Sequence, residues 1–583
     1  MRSILFSVAL LSVVATGASV VATGEAQADT PKLTWDSSGY FRTRGVAMTN
    51  LAPVDGSTFV LPGGEPYDIP EIRRTSYMMS RLRITPTLKY GDIAKLHFQV
   101  DALDDVLWGD NNGLATAPLF AIDGTDQHYL SDTRDALKLH KAWVEFKIPV
   151  GVMRVGRMPS HWGMGLLANG GGNAYLDPDP TRPKHIAQRE SIDTYFDDDF
   201  GDNHFGSVTD RVLFITKPLS IYKTLTGKSD TTSKLVTGYA YDKISEAPLL
   251  GAESEGARFR PLGQQGFISR PGDDVTEHVG FVVWNDPYAQ FGGPLARDTD
   301  ELRLGTYFVW RHSDRSSTQP SDLDASENCG EFDGELIPCV DTGSDIFITD
   351  FWGKLRYGPL YAETEVMAIF GETFGGVPFP SKNRKKKAEI TGGVVRLGYM
   401  ATNEKGEKLF DAVVEAGHAS GDDSLPDQDF KQRALHPDYN VGLILFEETL
   451  RELSARTYGP PFLSDENPNG AEGFFSNGGV INSNYIHPKV RYHIPSKKVT
   501  VVASLLMAWA DTLAIEGPAM IYDDQTESSY LGTEVDVAIK AQFSGHMQFS
   551  LEAGYLKFGE ALRSALPNAD NSVSLQSRVA FVW

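Results

Sequence analysis

"SRLRITPTLKYGDIAKLHFQVDA", Ser80 to Ala102, reads as two strands joined by a tight turn. Leu82, Ile84, Pro86, Leu88 and Tyr90 share one parity, while Arg81, Arg83, Thr85, Thr87 and Lys89 take the other. Successive side chains of a strand point to opposite faces, so the first run has one apolar and one polar face. After Gly91, Asp92 and Ile93 the pattern resumes, with Leu96, Phe98 and Val100 against Lys95, His97, Gln99 and Asp101. So short a separation makes the pair a hairpin.

The alternation returns in "LRLGTYFVW", "ETEVMAIFGE", "DAVVEAGHASG", "KVRYHIP", "VTVVASLLMAWA", "GTEVDVAIKAQ" and "MQFSLEAGYLKFG". Short turns fall at Tyr90 to Asp92, Pro149 to Gly151, Tyr357 to Pro359, Asn403 to Lys408, Pro495 to Lys498 and Ser544 to His546. Long segments alternate with them: Leu51 to Glu71, Asp104 to Arg134, Ser160 to Phe205, Ser313 to Ser344 and Gly421 to Gly479. Pro218 to Thr231 and Asn285 to Thr299 count with the short side. This gives about 18 strands of roughly 10 to 15 residues, the pattern of an outer-membrane barrel with short periplasmic turns and long outer loops. Backbone groups in hydrocarbon must be paired, so such a sheet has to close on itself. The final run, "SLQSRVAFVW" (Ser574 to Trp583), is therefore expected to pair with the first strand near Gly39 to Met48. Phe581 and Trp583 would then sit in the inner aromatic girdle. A terminal strand ending on an aromatic resembles the signal by which the barrel-assembly machinery recognises outer-membrane proteins.

The remaining composition fits export. Arg2, an apolar run from Ile4, and Ala26-Gln27-Ala28 read as a signal peptide over residues 1–28, leaving 29–583 as one barrel. Beyond it no run approaches the 18 or more apolar residues of a spanning helix, and mean hydropathy is −0.25. The net charge of −23 argues against nucleic acid and against direct adsorption to anionic lipid. The two cysteines, Cys329 and Cys339, are expected to form a local disulfide in an oxidising compartment.

"MRVGRMPSHWGMGLLANGGG" (Met153 to Gly172), "TDRVLF" (Thr209 to Phe214) and "HPDYNVGLILF" (His436 to Phe446) resemble a family of uncharacterised outer-membrane barrel proteins. "HASGDD" (His418 to Asp423) and "LGTEVDV" (Leu531 to Val537) are more distantly similar to the alginate-export and large-porin group. The resemblance implies an 18-stranded passive channel or exporter and supplies no substrate. It also implies an arginine-rich lumen for alginate itself, whereas this chain is mixed in sign.

The polar strand face is expected to line a pore. It offers Arg42, Arg44, Arg81, Arg83, Lys89 and Lys95 early, then Glu363, Glu365, Glu415, Glu534, Asp536, Lys540 and Glu552. Strand closure would set the basic and acidic groups against each other, either as a selectivity device or as a salt-bridged wall. The glycine-rich segment Ser160 to Phe205 could fold inward as a constriction. Its acidic knot, Asp193, Asp197, Asp198, Asp199 and Asp202, lacks a calcium-loop spacing and reads first as a solvated tip; no metal or cofactor is assigned. "KNRKKK" (Lys382 to Lys387) reads as a loop that is either solvated or in contact with outer-leaflet glycolipid. Val441 to Thr457 reads as a short amphipathic helix with Leu443, Phe446, Leu450 and Leu453 on one face, plugging the lumen or packing over it. No GxSxG, HExxH or paired-carboxylate motif points to an enzyme. The residues leave a porin-like channel for polar solutes or polysaccharide, a closed barrel serving adhesion, and a barrel hydrolase with residues gathered only in space.

Overall fold

The computed structural model describes residues 32–52, 58–60, 66–68, 72–109, 137–171, 206–227, 233–244, 275–297, 300–313, 331–332, 335–336, 343–373, 386–403, 408–423, 429–458, 476–513, 528–543, 546–565 and 571–583. The signal peptide over 1–28, the Cys329–Cys339 pairing and the acidic knot Asp193 to Asp202 lie outside the described residues.

Eighteen strands form the wall. They are β1 (Leu33–Ala52), β2 (Ile72–Tyr90), β3 (Ala94–Gly109), β4 (Lys138–Ile148), β5 (Gly151–Pro159) and β6 (Val208–Thr216). There follow β7 (Leu235–Ile244), β8 (Thr276–Asp286), β9 (Glu301–Ser313), β10 (Ser344–Tyr357), β11 (Leu360–Thr373) and β12 (Lys386–Thr402). The last third is β13 (Lys408–Ala419), β14 (Ser483–Ile494), β15 (Val499–Ala510), β16 (Tyr530–Gln542), β17 (Met547–Phe558) and β18 (Ser572–Val582). Each pairs antiparallel with its sequence neighbours, and β1 pairs with both β2 and β18. The sheet therefore has no free edge.

The seam runs in register from Tyr40 opposite Val582 to Thr49 opposite Val573. Trp583 extends it, donating its backbone N–H to Gly39 O (3.1 Å) and accepting from Gly39 N (3.2 Å). A Cβ on Gly39 would lie 2.5 Å from the Trp583 ring, so only glycine lets the closing tryptophan seat there. On β18, Val573, Leu575, Val579 and Phe581 are exposed outward, while Ser574, Gln576 and Arg578 are buried inward. The same alternation puts Phe347, Phe351 and Leu355 outside β10 and Ile348, Asp350 and Lys354 inside. A closed wall with an apolar exterior is the form in which a sheet can span the outer membrane.

Three expectations need correction. Some strands exceed 10 to 15 residues: β1 has 20 and β2 has 19. The interior is not uniformly polar either, because Val502, Leu506, Leu531 and Leu556 face inward and are fully buried. Inward-folded loops cover them. The end of "KNRKKK" is strand rather than loop, since Lys386 and Lys387 open β12; Lys386 is buried and Lys387 pairs with Glu389.

Deleting Phe581 to Trp583, or making Trp583→Asp, should lower the yield of heat-modifiable barrel in outer-membrane fractions, because the seam loses its last pairing. Ile84→Arg should impair assembly as well, since a charge facing mid-bilayer lipid costs about 2–4 kcal/mol. Wild-type levels of folded barrel for both variants would contradict the seam and the face assignment.

Candidate functional site: two loops nested on strand carboxylates

Two long connections turn into the barrel. The first leaves β5, and its residues 160–171 lie against the wall from β8 to β11. Trp162 donates its indole N–H to Asp350 of β10 (3.0 Å) and stacks on Tyr307 of β9 at 5.1 Å. The next turn places three consecutive backbone N–H groups on one carboxylate, Glu365 of β11. Met164, Gly165 (3.1 Å) and Leu166 (3.2 Å) all donate to it.

The second connection leaves β13 and packs against β12 to β17. Residues 443–445 repeat the device five strands further round the wall: Leu443 (2.6 Å), Ile444 (2.8 Å) and Leu445 (2.7 Å) donate backbone N–H to Glu534 of β16. Successive N–H groups in such a turn form a concave nest for an anion. Here the anion is a wall carboxylate. Gly442 opens the turn at φ +75°, and a Cβ there would stand 3.0 Å from the Glu534 carboxylate. Gly163 serves the first loop in the same way, at φ +56°.

The second loop is also clipped to β13. Glu415 accepts from Arg396 (2.5 Å), Tyr485 (2.6 Å) and Tyr439 of the loop (3.0 Å). The Arg396 guanidinium lies over the Tyr439 ring at 5.1 Å. Below the loop, Leu443, Leu445, Phe446 and Leu450 are buried against Val502, Leu506, Leu531 and Leu556. Fully burying each such side chain contributes about 1.5–3 kcal/mol.

The helix expected over Val441 to Thr457 starts later. The nest keeps residues 442–444 out of helical geometry, a π-turn covers Leu445–Leu450, and the α-helix runs Arg451–Tyr458. The expected apolar face of Leu443, Phe446, Leu450 and Leu453 is nonetheless the buried one. Half-buried in the same turn, Glu447 has its carboxyl pushed well above the usual range, by burial first and by neighbouring Glu448 second.

The loops meet across the interior. His436 N–H donates to Leu166 O (2.7 Å), and the Asn169 amide donates to Asp438 O (3.3 Å). Lys141 of β4 reaches Gly170 O at 2.7 Å. A layer of loop thus crosses the barrel from one wall to the other.

All thirteen charged residues expected on the polar face project inward, but they do different things. Arg42, Arg81 and Arg83 are buried, and Arg83 is bidentate to Asp101 at 2.7 Å. Arg44 bonds Gln576, Lys89 pairs with Asp36 (3.2 Å) and Lys95 with Glu145 (3.8 Å). Glu552 meets Arg578 at 3.5 Å, and Glu363 accepts from Trp352 at 2.9 Å. Asp536 accepts from Ser504 (3.2 Å), and Lys540 faces inward near the short-turn end. Of the acids expected to oppose the basic strands, Glu365 and Glu534 are occupied by loop backbone, and Glu415 by Arg396 and two tyrosines. On the basic side, register sets Arg42 opposite Arg81 and Arg44 opposite Arg578. Sequence reasoning missed Asp350, Trp162 and Tyr439. The glycines of "WGMG" and "NVGL" were the available signal.

Ser207 and His436 form a serine–histidine pair at 2.8 Å. His436 Nδ1 accepts the Asp438 N–H (3.0 Å), so in the neutral ring the proton sits on Nε2 and is donated to the serine. That tautomer cannot take a proton from Ser207, and the pair ties the loop instead.

No protein-family model and no curated protein matches the sequence. Among solved structures, matches run over most of the chain at low identity. OccK8 (OprE) of Pseudomonas aeruginosa is 8% identical with a TM-score of 0.40, over 94% of this chain and 98% of that one. A BenF-like porin from Pseudomonas fluorescens has the same identity, TM-score and coverages. An anion-selective porin from Comamonas acidovorans is 8% identical with a TM-score of 0.31, over 95% of this chain and 100% of that one. At these values the likeness bears on neither cargo nor mechanism.

Glu534→Leu should strand three buried N–H groups at about 1–3 kcal/mol each and release the second loop. Gly442→Val should act in the same direction. Hydrogen exchange should show faster exchange at Leu443 to Leu445, with the strand amides of β15 and β16 still protected. Unchanged exchange at those three amides would contradict the nest.

Proposed function

We propose that this protein is a porin-like passive channel for small polar solutes, narrowed by its two nested loops. One observation carries the reading: inward-facing charged side chains stay wet near both ends of the barrel. Arg154 and Lys95, towards the short turns, are 40% and 34% exposed. Arg311, near the long-loop end, is 34% exposed. Water therefore reaches inward-facing charges from both mouths, and the loop layer narrows the path between them. A barrel of 16 to 18 strands is too wide for its own side chains to fill, which fits a lumen closed down by added loops.

The wet charges are paired in mixed sign: Lys95 and Arg154 with Glu145, Arg311 with Glu277 and Arg303 with Glu301. Such walls favour polar over apolar solutes, since rings of charged side chains set selectivity. At the seam, Arg44 is half-buried and bonded to the neutral Gln576, which supports a preference for anions. A loop-crossed interior suits small solutes better than a polysaccharide chain. A second reading, a closed barrel serving surface interaction, is favoured by the apolar packing under Leu443 to Leu450.

Planar-bilayer recording separates the two. The purified barrel should conduct, and its reversal potential in a salt gradient should report an anion preference. Arg44→Gln combined with Arg81→Gln should shift that potential towards cations while the barrel still folds, because lumen substitutions tune selectivity. A folded barrel that passes no current supports the closed reading, and an unmoved reversal potential contradicts the role of the seam arginines.

A further inference from the structure

Helix α1 (Pro218–Leu225) fills the connection between β6 and β7, on the side of the short turns and of the first and last strand ends. None of its eight residues is buried. Leu219, Tyr222 and Leu225 recur at three-residue spacing and are 44%, 67% and 81% exposed. Ser220 and Thr224 lie on the other side, and Lys223 flanks the stripe beside Leu219. A two-turn helix is marginal in water, and a large exposed apolar stripe marks a surface that meets something. The barrel does not cover this stripe, since the helix meets the wall chiefly at β7.

The neighbourhood says what does. The strands that carry α1 present Val212 and Tyr239 outward, to lipid. The lipid-facing surface therefore continues onto the helix at the bilayer boundary. The chain as a whole is acidic, with 77 Asp and Glu against 54 Lys and Arg. Yet residues 217–229 contain Lys217, Lys223 and Lys228 and no acidic residue. Lysine flanks beside an apolar stripe match a phosphate layer over acyl chains.

We infer that α1 is an interfacial helix that lies in the periplasmic leaflet, with Leu219, Tyr222 and Leu225 among phospholipid acyl chains and Lys217 and Lys223 at the phosphates. It anchors the β6–β7 end of the barrel at the membrane surface, whether or not the lumen conducts. A soluble protein docking on the same stripe is the competing occupant.

The test uses the full-length barrel in phospholipid nanodiscs, with Cys329→Ser and Cys339→Ser as background. Leu225→Cys and Lys223→Cys are each labelled with an environment-sensitive fluorophore, with Tyr222→Cys as a second apolar-stripe position. Heat-modifiability checks that each variant is folded. The Leu225 and Tyr222 probes should be blue-shifted, quenched by lipid brominated in its acyl chains, and quenched several-fold less by aqueous iodide than the Lys223 probe. Equal iodide quenching on both sides, with brominated lipid silent, would overturn the inference. So would shielding of the apolar stripe in native outer membranes but not in nanodiscs, which would assign the surface to a protein partner.

Discussion

Every backbone N–H and C=O in hydrocarbon must find a partner, and this chain meets that demand by closing eighteen strands through the seam between β1 and β18. Closure then creates a second problem. A ring of this many strands encloses more space than its inward side chains can fill. Two connections turn inside to occupy it, and they carry their own backbone polar groups into a sheltered interior. Those groups need partners as much as the strands do. Glu365 and Glu534 supply them, each accepting three consecutive N–H groups from one loop.

The same residues settle the charge balance of the lumen. Acids that would have faced water are used up as loop anchors, and Glu415 is held between Arg396 and two tyrosines. Among the described residues, mixed-sign pairs at the two mouths stay wet. Breaking an anchor therefore does two things at once: it frees a loop and returns a carboxylate to the lumen. The energy holding each loop comes from different sources. The first leans on Trp162, stacked on Tyr307 and packed against Phe281 and Trp352, and the second on the leucines and Phe446 buried over β15 to β17.

The wall was legible because alternation at period two is a strong local signal in "RLRITPTLKY" and "GTEVDVAIKAQ", and because turn lengths alternate along the chain. In "VTVVASLLMAWA" both parities are apolar, so the inward Val502 and Leu506 could not be told from the outward Val501 and Leu505. The loop that covers them was legible only as an amphipathic run. The anchors were not legible at all in their role. Glu365 and Glu534 read like any other inward acid, since their partners are far away in sequence and are backbone groups, which carry no residue-type signal. Only the glycines at 163 and 442 marked the turns, and glycine is common in this chain. Asp350 was hidden for a related reason: its partner is a tryptophan from a loop with no strand pattern.

The unitary conductance of Glu365→Leu combined with Glu534→Leu, recorded beside the wild type, tests the central claim most directly. If the nested loops set the narrowest point of the lumen, releasing both should raise the conductance several-fold while the barrel remains heat-modifiable. A variant whose loop amides exchange freely, yet which conducts as the wild type does, would contradict it.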